Sequence, residues 1–132
     1  MAHDSHYFVG CLNSNFYVAF CNNFMDGFGI NEMLGMQKRL QDKYKDKWEN
    51  LSPEAGKHKL LWMVGEIGEV IDIIKKHGDI KASNDVTLRK DLVEEMADVL
   101  AYYNDILLRY GISAVELKQA YTVKFEKNMT RW

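Results

Sequence analysis

Four carboxylates in the middle of the chain have the types and the spacing to do chemistry. Glu66 and Glu69 stand three residues apart in a stretch where Val64, Ile67, Val70, Ile71 and Ile74 turn much of one helix inward. At about 100° per residue, the two acids project from neighbouring positions on one face. Glu95 and Asp98 repeat the arrangement inside the apolar run from Leu92 to Leu100, and Asp91 and Asp105 extend the acidic line in both directions. Like charges so placed repel, and acids on largely buried helices need partners. If the two helices face each other, four carboxylates meet in one partly dry place, where a hard divalent cation is the natural neutraliser. Mg²⁺ suits such a site because it takes oxygen ligands and keeps waters and phosphate oxygens in its shell, with Mn²⁺ as a substitute. Either pair alone reads most simply as the solvated face of an amphipathic helix; the two together favour a metal site. A di-iron bundle would use Glu-x-x-His on its helices, and neither His58 nor His77 has a Glu three residues before it.

The elements that must position these acids are helical. Asn31 can cap a first helix with Met33, Met36, Leu40, Tyr44 and Trp48 on one stripe, ending near Asn50. Ser52 and Pro53 read as N-cap and first helical position of a second helix, with Glu54 in its first turn, that runs to about His77 and stops at Gly78. A polar connection over residues 78–84 leads to a third helix over roughly 85–109, before Gly111. Its Leu92, Met96, Val99, Tyr103, Ile106 and Tyr110 form one apolar stripe, with Val93, Ala97, Leu100 and Leu107 beside it. Ser113 and Glu116 form a capping box for the fourth helix, and Ile112 and Leu117 take the two positions of a hydrophobic staple. The expected fold is all-α, an antiparallel four-helix bundle.

Residues 1–30 differ from the rest. They contain no Lys or Arg and are rich in Phe, Tyr and Asn. Tyr7 to Leu12 and Phe16 to Phe20 have the makings of two strands joined by a turn, yet Phe16, Phe20 and Phe24 also recur at helical spacing. His3 and His6, without supporting ligands, read as part of a frayed terminus. Cys11 and Cys21 give neither a disulfide framework nor a zinc knuckle. The whole chain has 132 residues and a formal charge of −2, so no global basic field draws nucleic acid or an anionic membrane surface. No apolar run approaches the ~20 residues that span a bilayer, and no basic signal-peptide start is present. A cytoplasmic location is the resulting expectation. Asn50-Leu51-Ser52 and Asn128-Met129-Thr130 match the glycosylation pattern and, without a secretory signal, read as chance.

The chain resembles the MazG-like, all-alpha nucleoside triphosphate pyrophosphohydrolases, in which ExxE on one helix is followed by ExxD on the next. The matching residues are Gly65-Glu66-Ile67-Gly68-Glu69-Val70 and Glu94-Glu95-Met96-Ala97-Asp98-Val99-Leu100. Tyr102, four after the Asp, also matches relatives, and Lys124, Asn128 and Arg131 resemble the family's closing Lys-x-x-x-Asn-x-x-Arg pattern. The resemblance covers residues 31–132 and leaves residues 1–30 as an aromatic N-terminal extension.

The resemblance implies a bundle of the all-alpha pyrophosphatase type and a catalytic, metal-binding role for Glu66, Glu69, Glu95 and Asp98. The implied reaction is attack of a metal-activated water on a phosphorus of a nucleoside triphosphate, releasing nucleoside monophosphate and pyrophosphate. Tyr102, Lys124, Asn128 and Arg131 would bind substrate. The last three fall four and three apart on one helix face, so two cations and an amide can approach phosphate oxygens together; cations near a helix C-terminus also simply stabilise its dipole. Relatives that act on deoxycytidine triphosphate carry a base-stacking Trp where this chain has Lys76. Trp62, Trp48 and His58 are the alternative candidates, although large aromatics at helical spacing are commonly core. A phosphoribosyl-ATP pyrophosphatase-like enzyme and a non-catalytic helical interaction module are the competing readings. The breadth of the apolar stripes, and the family's habit of associating through its bundles, lead to the expectation of a homodimer or homotetramer.

Overall fold

The computed structural model describes residues 28–131, and the strand, helix, His and Cys expectations for residues 1–27 lie outside them. Among the described residues there are five α-helices and no strands, and the all-α expectation is borne out. Helix α1 spans Ile30–Lys43, α2 Gly56–His77, α3 Asp79–Asn84, α4 Val86–Arg109 and α5 Ala114–Met129. The long helices α2 and α4 form the main packed pair; α1 lies against α4, and α5 touches α1 lightly. No described helix is long and apolar enough to cross a membrane.

Local chemistry sets most boundaries. Asp85 caps α4, its Oδ1 accepting from the backbone N–H of Thr87 and Leu88 at 3.0 and 3.1 Å. The capping box at α5 forms as its residues dictate: Glu116 N–H donates to Ser113 Oγ at 3.2 Å, and the Glu116 carboxylate accepts from Ser113 N–H at 2.9 Å. Gly78 ends α2 at φ 82°, a backbone conformation that other residues adopt only at a cost.

Three expectations need correction. The connection over residues 78–84 is not merely polar but carries α3, whose Ala82 is buried. Helix α1 starts at Ile30 behind Gly29, whose N–H donates to Glu32 at 2.9 Å, so Asn31 is not its cap. It also stops at Lys43, not near Asn50. Tertiary bonds explain the early stop, because buried Gln41 donates from Nε2 to the Glu49 carbonyl at 2.7 Å and Arg109 reaches the Asn50 carbonyl at 2.6 Å. These bonds draw residues 49 and 50 across the end of α4 and are incompatible with continued helix. Tyr44 and Trp48 nevertheless stay together, ring centroids 4.9 Å apart. Ser52 and Pro53 do open the second helical segment, but through a short 3₁₀ turn over Pro53–Ala55 that runs into α2.

The best-buried part of the molecule is the C-terminal end of α4, where Asn104, Asp105, Ile106, Leu107 and Arg109 are all enclosed. Elsewhere the helices leave much apolar surface open: Leu61 of α2 is 69% exposed and Val93 of α4 is 56% exposed. From Lys118 to Arg131 every residue of the α5 region is exposed.

Candidate metal centre and substrate cleft

Because α2 and α4 pack as partners, the two acidic pairs face one another. Oxygens of Glu66, Glu95 and Asp98 lie within 4.8 Å of one another. Glu69 sits close enough that its charge acts on both Glu66 and Glu95. Burial, and then the charges of Asp98 and Glu69, push the Glu66 carboxyl above its ordinary range. Glu95 is raised as well, by desolvation first and then by Glu69, Asp98, Glu66 and Glu94. Asp98 is exposed and Glu66 and Glu95 are only half-buried, so water partly screens this repulsion and limits what it costs the fold. Among the described residues no basic side chain pairs with the three acids, and the cluster is therefore chemically suited to a divalent cation.

Tyr102 comes next to the acids on α4. Its hydroxyl is kept protonated beyond the ordinary tyrosine range by desolvation and by the charges of Glu66, Asp98 and Asp105. A phenol held neutral is a dependable hydrogen-bond donor to a phosphate or sugar oxygen. Beside it opens a cavity of about 350 Å³ between α1, α2 and α4, whose lining includes Asp98, Tyr102, Asp105, Trp48, Trp62 and Gln37. A larger cavity, of about 660 Å³, lies between the start of α1 and α5, away from the carboxylates, and its lining is mainly apolar.

The remaining expected substrate residues are placed differently. Lys124 lines a shallow depression formed by α5 residues alone, while Asn128 and Arg131 lie further along the same exposed segment. Within one chain, α5 has its main packing contacts with α1, whereas α2 and α4, which hold the acids, pack chiefly on each other.

Sequence reasoning placed Asp105 on the acidic line and missed its partner. Arg109 Nε donates to Asp105 Oδ2 at 2.7 Å, the two side chains being 0% and 3% exposed, and Arg109 Nη1 donates to the Asn50 carbonyl at 2.6 Å. The i,i+4 spacing of Asp105 and Arg109 was the available signal. The carbonyls that complete the site come from 59 and 60 positions away and left no trace in the local pattern.

With this geometry in view, the comparisons with known proteins point one way. The model of the MazG nucleotide pyrophosphohydrolase domain matches residues 55–131, which is more than half of the chain. The chain belongs to that family, whose members are nucleotide-directed hydrolases dependent on a divalent metal. No curated protein and no solved structure matches it.

Proposed function

We propose that the chain is a Mg²⁺-dependent pyrophosphohydrolase of nucleoside triphosphates or deoxynucleoside triphosphates, releasing the monophosphate and pyrophosphate. The observation that carries this reading is the approach of Glu66, Glu95 and Asp98 to within 4.8 Å, with the Glu69 charge beside them. Glu66, Glu69, Glu95 and Asp98 would hold the cation. A bound divalent ion there supplies charge neutralisation and a more acidic water. The carboxylates' own part is to fix that charge next to the cleft, and Tyr102 donates to an oxygen of the substrate. Water adds its oxygen to a phosphorus as the anhydride bond breaks and pyrophosphate departs. Lys124, Asn128 and Arg131 are proposed to meet phosphate oxygens. The decisive experiment measures pyrophosphate release from a panel of NTPs and dNTPs with and without Mg²⁺; no release from any of them at saturating metal overturns the reading.

We also propose a homodimer or homotetramer. The open apolar faces of α2 and α4, with Leu61, Val64, Ile71, Val93 and Met96 all exposed, support a second copy of the chain as cover. Association would also give α5, which within its own chain packs mainly on α1, and its basic residues a route to an acidic cluster. Sedimentation equilibrium at micromolar concentration tests this, and full activity at the monomer mass of 15.4 kDa would overturn it.

A further inference from the structure

The cavity beside the acids has a chemical character of its own. Trp62 lies four residues before Glu66 on α2, and Tyr102 four after Asp98 on the antiparallel α4, so both rings stand one turn from the acidic cluster in the same direction. Their planes are within 10° of parallel and their centroids are 6.5 Å apart. Nearly parallel rings at this centroid distance form an offset aromatic platform on the cavity wall, against which a further flat ring can stack. Trp62 is 60% exposed, which removes it from the core and leaves its indole face open.

Asp105 lies about 10 Å beyond Asp98 along α4 and lines the same cavity. Arg109 holds only one of its oxygens: Nε donates to Oδ2, whereas Nη1 and Nη2 go to the Asn50 and Glu49 carbonyls at 2.6 and 3.4 Å. Oδ1 is not the oxygen that Arg109 Nε holds. A carboxylate oxygen on a cavity wall accepts from a ligand's donor and repels a ligand's acceptor, so a ligand that brings a donor is favoured.

We infer that this cavity holds the substrate's base, stacked against Trp62, with Asp105 accepting from an exocyclic amino group, so that cytosine and adenine are preferred to uracil and hypoxanthine. The inference rests on the nucleotide reading given above and adds the class of base. Cytosine presents an amino group where uracil presents a carbonyl oxygen, which a carboxylate repels; adenine and hypoxanthine differ in the same way. A nucleoside triphosphate reaches from the acids to the aromatic rings, placing its phosphates at Glu66, Glu95 and Asp98 and its sugar near Tyr102.

The test is calorimetric titration of the full-length protein with the α,β-methylene analogues of CTP, UTP, ATP and ITP in Mg²⁺. The scissile bond of these probes does not break, so binding is read apart from turnover. The expected result is at least about tenfold tighter binding of the CTP than the UTP analogue, and of the ATP than the ITP analogue. Trp62→Ala should weaken the CTP analogue by about tenfold to a hundredfold, and Trp62→Phe should restore most of it. Asp105→Asn should narrow the CTP to UTP ratio. Equal affinities within both pairs, or unchanged binding by Trp62→Ala, overturn the inference. Hydrolysis of all four parent triphosphates without preference would overturn it while leaving the hydrolase intact. The expected binding preference without any pyrophosphate release would support the base pocket and remove the hydrolase.

Discussion

Asp98 and Asp105 lie two turns apart on α4 and have the same side chain, yet their surroundings are opposite. Asp105 is enclosed and grips Arg109 at 2.7 Å, and the same guanidinium ties the Asn50 carbonyl to the helix. Asp98 is exposed and shares its space with Glu66 and Glu95. The residue four positions on decides the difference, Arg109 in one case and Tyr102 in the other. One end of the helix spends a carboxylate on holding the fold; the middle gathers its carboxylates against one another at a cost in repulsion, the arrangement that the proposed cation would relieve.

The sharpest way to break this comparison is to remove Arg109. Arg109→Leu strands a buried carboxylate and should cost about 3–5 kcal/mol, a melting-temperature drop on the order of 10–20 °C. The double variant Arg109→Leu with Asp105→Leu should recover much of the loss in a thermal melt, because no buried charge remains. A single variant as stable as the wild type would show that the pair does not hold the loop.

The acidic middle should behave in the reverse manner. Asp98→Asn or Glu69→Gln should lower pyrophosphate release by about a hundredfold or more, with the melting temperature unchanged or raised. Full activity in both at saturating Mg²⁺ would remove these residues from the metal site.

The phosphate end comes next in size. Lys124→Ala and Arg131→Ala should each reduce kcat/KM by about tenfold, with melts within a few degrees of wild type, since exposed helix positions contribute little to stability. Unchanged kinetics in both would return them to the role of cations near a helix C-terminus.

The smallest effect is on pH. Glu66 and Glu95 are raised above 4.5 in the folded chain, so the metal-free fold binds more protons than the unfolded chain between that value and the raised ones. Their contribution to stability therefore grows as pH falls through this window and is lost as pH rises above it. Saturating Mg²⁺ should erase this trend, because the cation favours the ionised acids. Melts of wild type and Glu66→Gln in chelator, compared across the acidic range, measure it; identical pH profiles would deny the coupling.

What the sequence made legible was whatever local chemistry dictates. Ser113 with Glu116, and Gly78, depend on residues within one or two turns, and each appears where the pattern put it. What escaped depends on distant partners. The early end of α1 follows from Gln41 and Arg109 binding carbonyls of residues 49 and 50, and α3 exists around the buried Ala82. Trp62 was equally hidden: helical spacing makes a large aromatic read as core, and only the packing of α2 on α4 reveals that its face is left open.

The antiparallel packing of α2 on α4 also bears on the order of folding. Glu66 and Asp98 are separated by only about thirty positions, bridged by a short helical connection, so the loop that must close to bring the acids together is small and its entropic cost is modest. The Arg109 tether joins residues 59 positions apart and closes a loop nearly twice as long. The acidic cluster should therefore assemble while the tether is still unmade. Mg²⁺ present during refolding would then accelerate folding itself, rather than only slow unfolding, as expected for contacts already formed in the transition state.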